Sequence, residues 1–368
     1  MHASRLTRPR RLLAALAATV LLVLAACGDD DDAADANDTG PDGRPVLVAT
    51  TSILGDVATA LVGDHFTVIT IMGPGTDPHE FQASAQEVAT IQDADALLVN
   101  GGGVEEGLAD VVATASADGV PTFAALDAVD VLGTDDEDHD EDDDHEDHED
   151  HGDEDHDDED HGDEGHDGDH GDEGHGDGDH EADDHDGHEH GPEDPHFFTD
   201  PARMAVAADA LVDFLANVDG VDADALRADA TAYIDTLTEL DAEVEATLSA
   251  IPDDRRQMVL NHDVFAYFAD RYDFDIVGSV LGSVSTSGSA SPSDLAALAD
   301  EIDDAGITAV FADAASADDL IETLADEAGA DVEVVALYSE SLGDADSGAA
   351  TYVDMIRTNA ERIAAALG

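Results

Sequence analysis

Residues 46–72 read VLVATTSILGDVATALVGDHFTVITIM. Val46 to Thr51 is a short apolar run of buried-strand length, and Ile53 to Val62 places its apolar residues at helical spacing until Gly63 ends the helix. Phe66 to Met72 then returns to β-branched residues. Strand, helix and strand in immediate succession predict the βαβ unit of an α/β fold.

The same rhythm continues outward. A loop with Pro74, Gly75 and Pro78 leads to a helix around Ala83–Gln92, a strand at Ala96–Val99 and the turn Gly101-Gly102-Gly103. That turn resembles a phosphate nest only weakly, because it lacks the Lys and Ser/Thr of a P-loop. In the second half, Met258–Asn261, Phe274–Val280, Thr308–Phe311 and Glu333–Leu337 read as strands, with helices at Val264–Tyr272 and Ser293–Asp304. Two such half-units predict two doubly wound α/β lobes. Between them, Leu226, Ala230, Tyr233, Leu237, Leu240, Val244 and Leu248 recur at spacings of three and four within Asp222–Ala250, with no internal Gly or Pro. That is one long amphipathic helix, a stiff connector between the lobes. The expected division is a targeting segment at 1–26, a tether at 27–44, a first lobe at 45–221, the linking helix at 222–250 and a second lobe at 251–368.

The chain of 368 residues carries 91 Asp plus Glu against 12 cations, a net charge of −79. Nucleic acid is excluded as a partner, since binding it needs a basic footprint. A single cysteine excludes a disulfide framework and a Cys-based zinc finger. Arg5, Arg8, Arg10 and Arg11 precede an apolar stretch from Leu12 to Ala26, too short for a membrane span, and it ends in Leu24-Ala25-Ala26-Cys27. This resembles a bacterial lipobox, which makes Cys27 the expected lipidation site and places the mature chain outside the cytoplasmic membrane.

Residues 135–194 hold 35 carboxylates, no cation and 13 of the 18 histidines. These are His139, His145, His148, His151, His156, His161, His166, His170, His175, His180, His185, His188 and His190. The composition cannot build a core, so a disordered insert carrying an array of weak metal sites is expected.

Outside the insert stand His2, His65, His79, His196 and His262. His65 reads as a surface turn residue. The other three lie in Asp77-Pro78-His79-Glu80, Asp194-Pro195-His196-Phe197 and Asn261-His262-Asp263, loops next to strand ends where open α/β sheets bind ligands. Proline fixes φ just before two of these imidazoles, a stiffness suited to aiming a ligand. A three-histidine zinc set wants a fourth donor, and the carboxylate candidates are Glu80, Asp313 and Glu340. Asp313 also reads as a cap for a helix beginning near Ser316.

These strings resemble the extracytoplasmic solute-binding proteins of zinc and manganese ABC importers, the cluster A-I family, over about Val46 to Gly368. The resemblance implies a metal site of His79, His196, His262 and Glu340. His262 lies in a His-Asp-x-Phe-x-Tyr-Phe string, where manganese members tend to carry a carboxylate. Glu340 stands in Leu337-Tyr338-Ser339-Glu340-Ser341-Leu342-Gly343, where the family usually has aspartate. Glu80 is an alternative ligand. The resemblance further implies Zn²⁺ as transported ligand, a permease with its ATPase as partners, a lipid anchor on the outer face of the membrane, a monomer and no enzymatic activity. The insert matches the His- and acid-rich loop that zinc-specific members carry between their first two ligands. Three alternatives stay open: a manganese receptor of the same family, a zinc-buffering or adhesive surface lipoprotein, and a zinc hydrolase with Glu80 as base. Against the last, no His-Glu-x-x-His string occurs.

Overall fold

The computed structural model describes residues 43–133, 193–282, 285–286, 291–314, 319–328 and 332–368. The signal segment, Cys27 and the thirteen insert histidines lie outside them. From residue 43 onward the described chain belongs to one compact unit.

The first lobe contains β1 (Val46–Ala49), α1 (Ser52–Val62), β2 (Thr67–Thr70), α2 (Ala85–Gln92), β3 (Ala96–Val99), α3 (Ala109–Ala117) and β4 (Thr122–Ala124). Its four parallel strands run in the order β2-β1-β3-β4. Two helices follow, α4 (Pro201–Leu215) and the long α5 (Ala223–Leu248). The second lobe contains β5 (Gln257–Leu260), α6 (Ala266–Tyr272), β6 (Asp275–Ser279), α7 (Pro292–Ala305), β7 (Ala309–Asp313), α8 (Asp319–Ala328), β8 (Glu333–Leu337) and α9 (Tyr352–Leu367). Its sheet, β6-β5-β7-β8, repeats the topology of the first.

Local chemistry accounts for the helix starts. The Thr51 side chain accepts the Leu54 N–H, Ser84 and Glu87 form a reciprocal capping box on α2, and Asp200 caps α4 just ahead of Pro201. Sequence periodicity did not single out α3, α4, α8, α9 or β4. Alanine-rich faces blur the apolar stripe in the first two helices, and β4 is only three residues long.

Strand alternation shows why the sheets are buried on both faces. Leu47, Ala49, Ala96 and Leu98 enter one apolar cluster while Val48, Leu97 and Val99 enter another on the opposite face. In the second sheet Met258, Leu260, Ala309 and Phe311 join that same first cluster, whereas Val259, Val310 and Ala312 face the other way. One continuous core therefore runs through both lobes. The connector helix lies in it through Leu226, Ala230, Leu237, Leu240, Val244 and Leu248, packed on α1, α4 and α9. Parting the lobes would expose this shared core, so their relative placement is stiff.

Candidate metal centre

Three of the four predicted ligands follow the carboxyl ends of parallel strands. His79 lies in the β2–α2 loop, His196 in the segment returning to α4, His262 two residues beyond β5, and Glu340 three residues beyond β8. Each is at most 6% exposed. Each offers one donor atom to a group whose members all lie within 4.8 Å of one another. Glu340 is the hub: Oε1 is 2.7 Å from His79 Nε2 and 3.4 Å from His196 Nε2, and Oε2 is 3.4 Å from His262 Nε2. A tetrahedral ion with ligand bonds of about 2.0–2.1 Å separates its donors by roughly 3.4 Å, the value of two of these three contacts.

The donors lack directed partners among the described residues. None of the three Nε2 atoms makes a properly angled hydrogen bond, and the 2.7 Å approach of His79 to Glu340 is not aligned as one. Polar atoms buried this deeply are normally paired, and a set that converges unpaired suits a cation.

Supporting contacts aim the imidazoles. In both Asp-Pro-His turns the aspartate carboxylate accepts the backbone N–H of the histidine at 2.9 Å, from His79 to Asp77 and from His196 to Asp194. Asp194 Oδ1 also lies 2.8 Å from His196 Nδ1, which leaves Nε2 as the donor to a metal. Glu106 sits 3.4 Å from His79 Nδ1. The Glu340 loop is fastened to the first lobe: Gly75 N–H donates to Ser341 Oγ at 2.7 Å, Ser52 and Ser341 hydroxyls are 3.1 Å apart, and Leu342 N–H donates to Ser52 Oγ at 3.0 Å.

Electrostatics follow from this packing. Burial pushes the Glu340 carboxyl up, but the three histidines outweigh it and hold it well below the usual carboxylate range. Burial disfavours protonated His196, yet Asp194 and Glu340 prevail and raise its pKa to about 9. His79 is raised in the same way, burial being overcome by Glu340. A cation entering the centre therefore displaces protons.

The other carboxylate candidates stand apart from this group. Glu80 is exposed and, with Asp77 and Asp313, lines a cleft of about 440 Å³ that reaches Glu340. Asp313, at the end of β7, accepts from the backbone N–H and hydroxyl of Ser339. The stretch just ahead of α8, where it was expected to act as a cap, lies outside the described residues. His65, expected on the surface, is half-buried and 2.9 Å from Asp229 on α5. Asp194, drawn into the insert by composition, is buried against His196, and its neighbour Glu193 pairs with Gly133. Sequence reasoning missed Asp194, although the repeated Asp-Pro-His spelling contained its signal.

Against known families, the profile of ZnuA, zinc-uptake complex component A, periplasmic, matches residues 47–366. The chain belongs to that family. Within the zinc-uptake component A family and its curated relatives, it is 24% identical over 335 residues to the manganese-binding lipoprotein MntA of Halalkalibacterium halodurans, covering 90% of this chain and 92% of that protein. It is 25% identical over 347 residues to the zinc-binding protein TroA of Treponema pallidum, covering 91% and 92%. The solved structure of periplasmic TroA superposes with a TM-score of 0.69 at 24% identity, covering 89% of this chain and all of that one. The family fold thus agrees with the two-lobed architecture expected from sequence.

Proposed function

We propose that this chain is the extracytoplasmic zinc receptor of an ABC importer, capturing Zn²⁺ between its lobes and delivering it to a membrane permease and its ATPase. The observation that carries this reading is the convergence of His79, His196, His262 and Glu340, two donors from each lobe, in one buried and otherwise unpartnered group. Three imidazoles and one carboxylate suit zinc better than manganese, which prefers oxygen donors. A four-donor shell leaves no open position for a reacting water, which favours transport over hydrolysis. With the lobes joined by one stiff core, metal binding acts on the ligand loops at the cleft, giving a permease a means to tell loaded from empty receptor. Relatives named as lipoproteins support lipidation at Cys27 and an outer-face location. No described helix is long and apolar enough to cross a membrane.

The test is metal competition on purified protein stripped by chelator. One zinc ion is expected to bind far more tightly than all others and more tightly than manganese, with His79→Ala and His196→Ala each abolishing that tight ion. Tight zinc binding that survives either substitution would overturn the assignment.

A further inference from the structure

The string His262-Asp263-Val264-Phe265-Ala266-Tyr267 carries two buried residues that reach the centre by different routes. His262 presents its ring directly. Tyr267, on α6, donates its hydroxyl to the Asp194 carbonyl at 2.7 Å and accepts the Leu132 N–H at 3.1 Å. Asp194 in turn grips His196 at both its backbone N–H and its Nδ1. A closed brace thus runs from His262 along the second lobe to Tyr267, across to Asp194 and back to His196. Its two ends are imidazoles whose ring centroids are 5.8 Å apart. The tyrosine ring is itself fixed by the Arg203 guanidinium, 4.9 Å from its centroid, and Arg203 pairs with Asp200 and with Asp270 of α6.

We infer that Tyr267 is a positioning residue that sets the separation of His196 from His262 and, through it, the preference of the centre for zinc over manganese. The inference rests on the reading of these histidines as ligands of the transported cation. A stiff brace limits how far the two imidazoles can part and so penalises an ion that seeks six donors. Without the hydroxyl, Asp194 loses its anchor on the second lobe and the His196 ring gains freedom to shift, so the tetrahedral ion loses its advantage. Partners outside the metal's own shell typically change affinity 10- to 100-fold, and Tyr267 acts one contact further out, so about tenfold is expected.

The test is Tyr267→Phe in the full chain, which keeps the ring and its arginine contact. Affinities of the tightest site for Zn²⁺ and Mn²⁺ are measured by competition, alongside the visible spectrum of the Co²⁺-substituted protein and thermal unfolding of the metal-free form. The zinc-to-manganese affinity ratio is expected to shrink about tenfold, with altered cobalt bands. Tyr272→Phe is the control: its hydroxyl, on the same helix, binds Asp241 at 3.0 Å away from the centre. It is expected to keep the wild-type ratio and spectrum. An unchanged ratio and spectrum in Tyr267→Phe, whatever its melting temperature, overturns the inference, as does a Tyr272→Phe variant that reproduces the shift. Failure of the underlying reading is distinguishable: His79→Ala would then bind zinc as the wild type does.

Discussion

Replacing Asp194 with Asn should weaken zinc binding at pH 9 by about tenfold and leave a much smaller deficit at pH 7. Geometry and electrostatics set the direction of both effects. The amide keeps an oxygen near the backbone N–H and Nδ1 of His196, where Asp194 Oδ1 stands at 2.9 and 2.8 Å. The turn bond is present with or without metal, so its weakening cancels in the affinity. The Nδ1 bond, also present without metal, cancels only in part, because zinc on Nε2 makes Nδ1–H a stronger donor and so a carboxylate acceptor worth more. Weakening the partner that orients a ligand histidine typically costs metal affinity about tenfold. Asp194 also helps raise the His196 pKa to about 9. In the metal-free wild type this raised pKa favours the protonated ring at pH 7, and that proton competes with zinc for Nε2. The Asp194→Asn change lowers that pKa and relieves the competition, which offsets the lost hydrogen bond at pH 7. At pH 9 little competition remains and the full deficit appears. Chelator competition at the two pH values measures this directly. A deficit larger at pH 7 than at pH 9, or no deficit at pH 9, would refute the reasoning.

His262→Glu should shift preference toward manganese, since it replaces an imidazole with a hard oxygen donor, and paired competition with the two ions reads the change. Leu240→Ala, at a side chain buried in the core shared by the two lobes, should cost about 2–5 kcal/mol and lower the melting temperature by roughly 5–15 °C in calorimetry. Burial raises the Glu105 carboxyl above its ordinary value, against the pull of Thr50 and the Asn100 N–H. Its stabilising contribution is therefore complete below pH 4.5 and lost as pH rises through the raised value, and denaturant titrations of Glu105→Gln should show a flatter fall in stability over that range. Deleting residues 135–192 should abolish weaker zinc binding in a titration and leave the single tight ion, because Asp194 stays to hold His196.

The sequence by itself determined the two-lobed α/β class, though not α3, α4, α8, α9 or β4. The run from Val46 to Met72 carries its strand and helix in its periodicity, Asp222–Ala250 carries the connector, and the scarcity of histidine outside the insert singles out three imidazoles as ligand candidates. The first two properties are local, each depending on neighbours within a turn or two of chain, and the third is composition. The family resemblance pointed to Glu340 over Glu80, and tertiary structure shows which carboxylate lies within reach of the three imidazoles. Glu80 adjoins His79 in sequence yet stays exposed, while Glu340, 261 residues away, supplies the hub. It also decided that Asp194 belongs to the centre, although its composition places it in the insert, and that Tyr267 braces the two lobes. The physical reason is that a metal centre between two parallel sheets is assembled from the carboxyl ends of strands far apart in the chain. Which of those ends meet is set by sheet order, the shared core and the packing of α5, and no local spacing of residues records that distance.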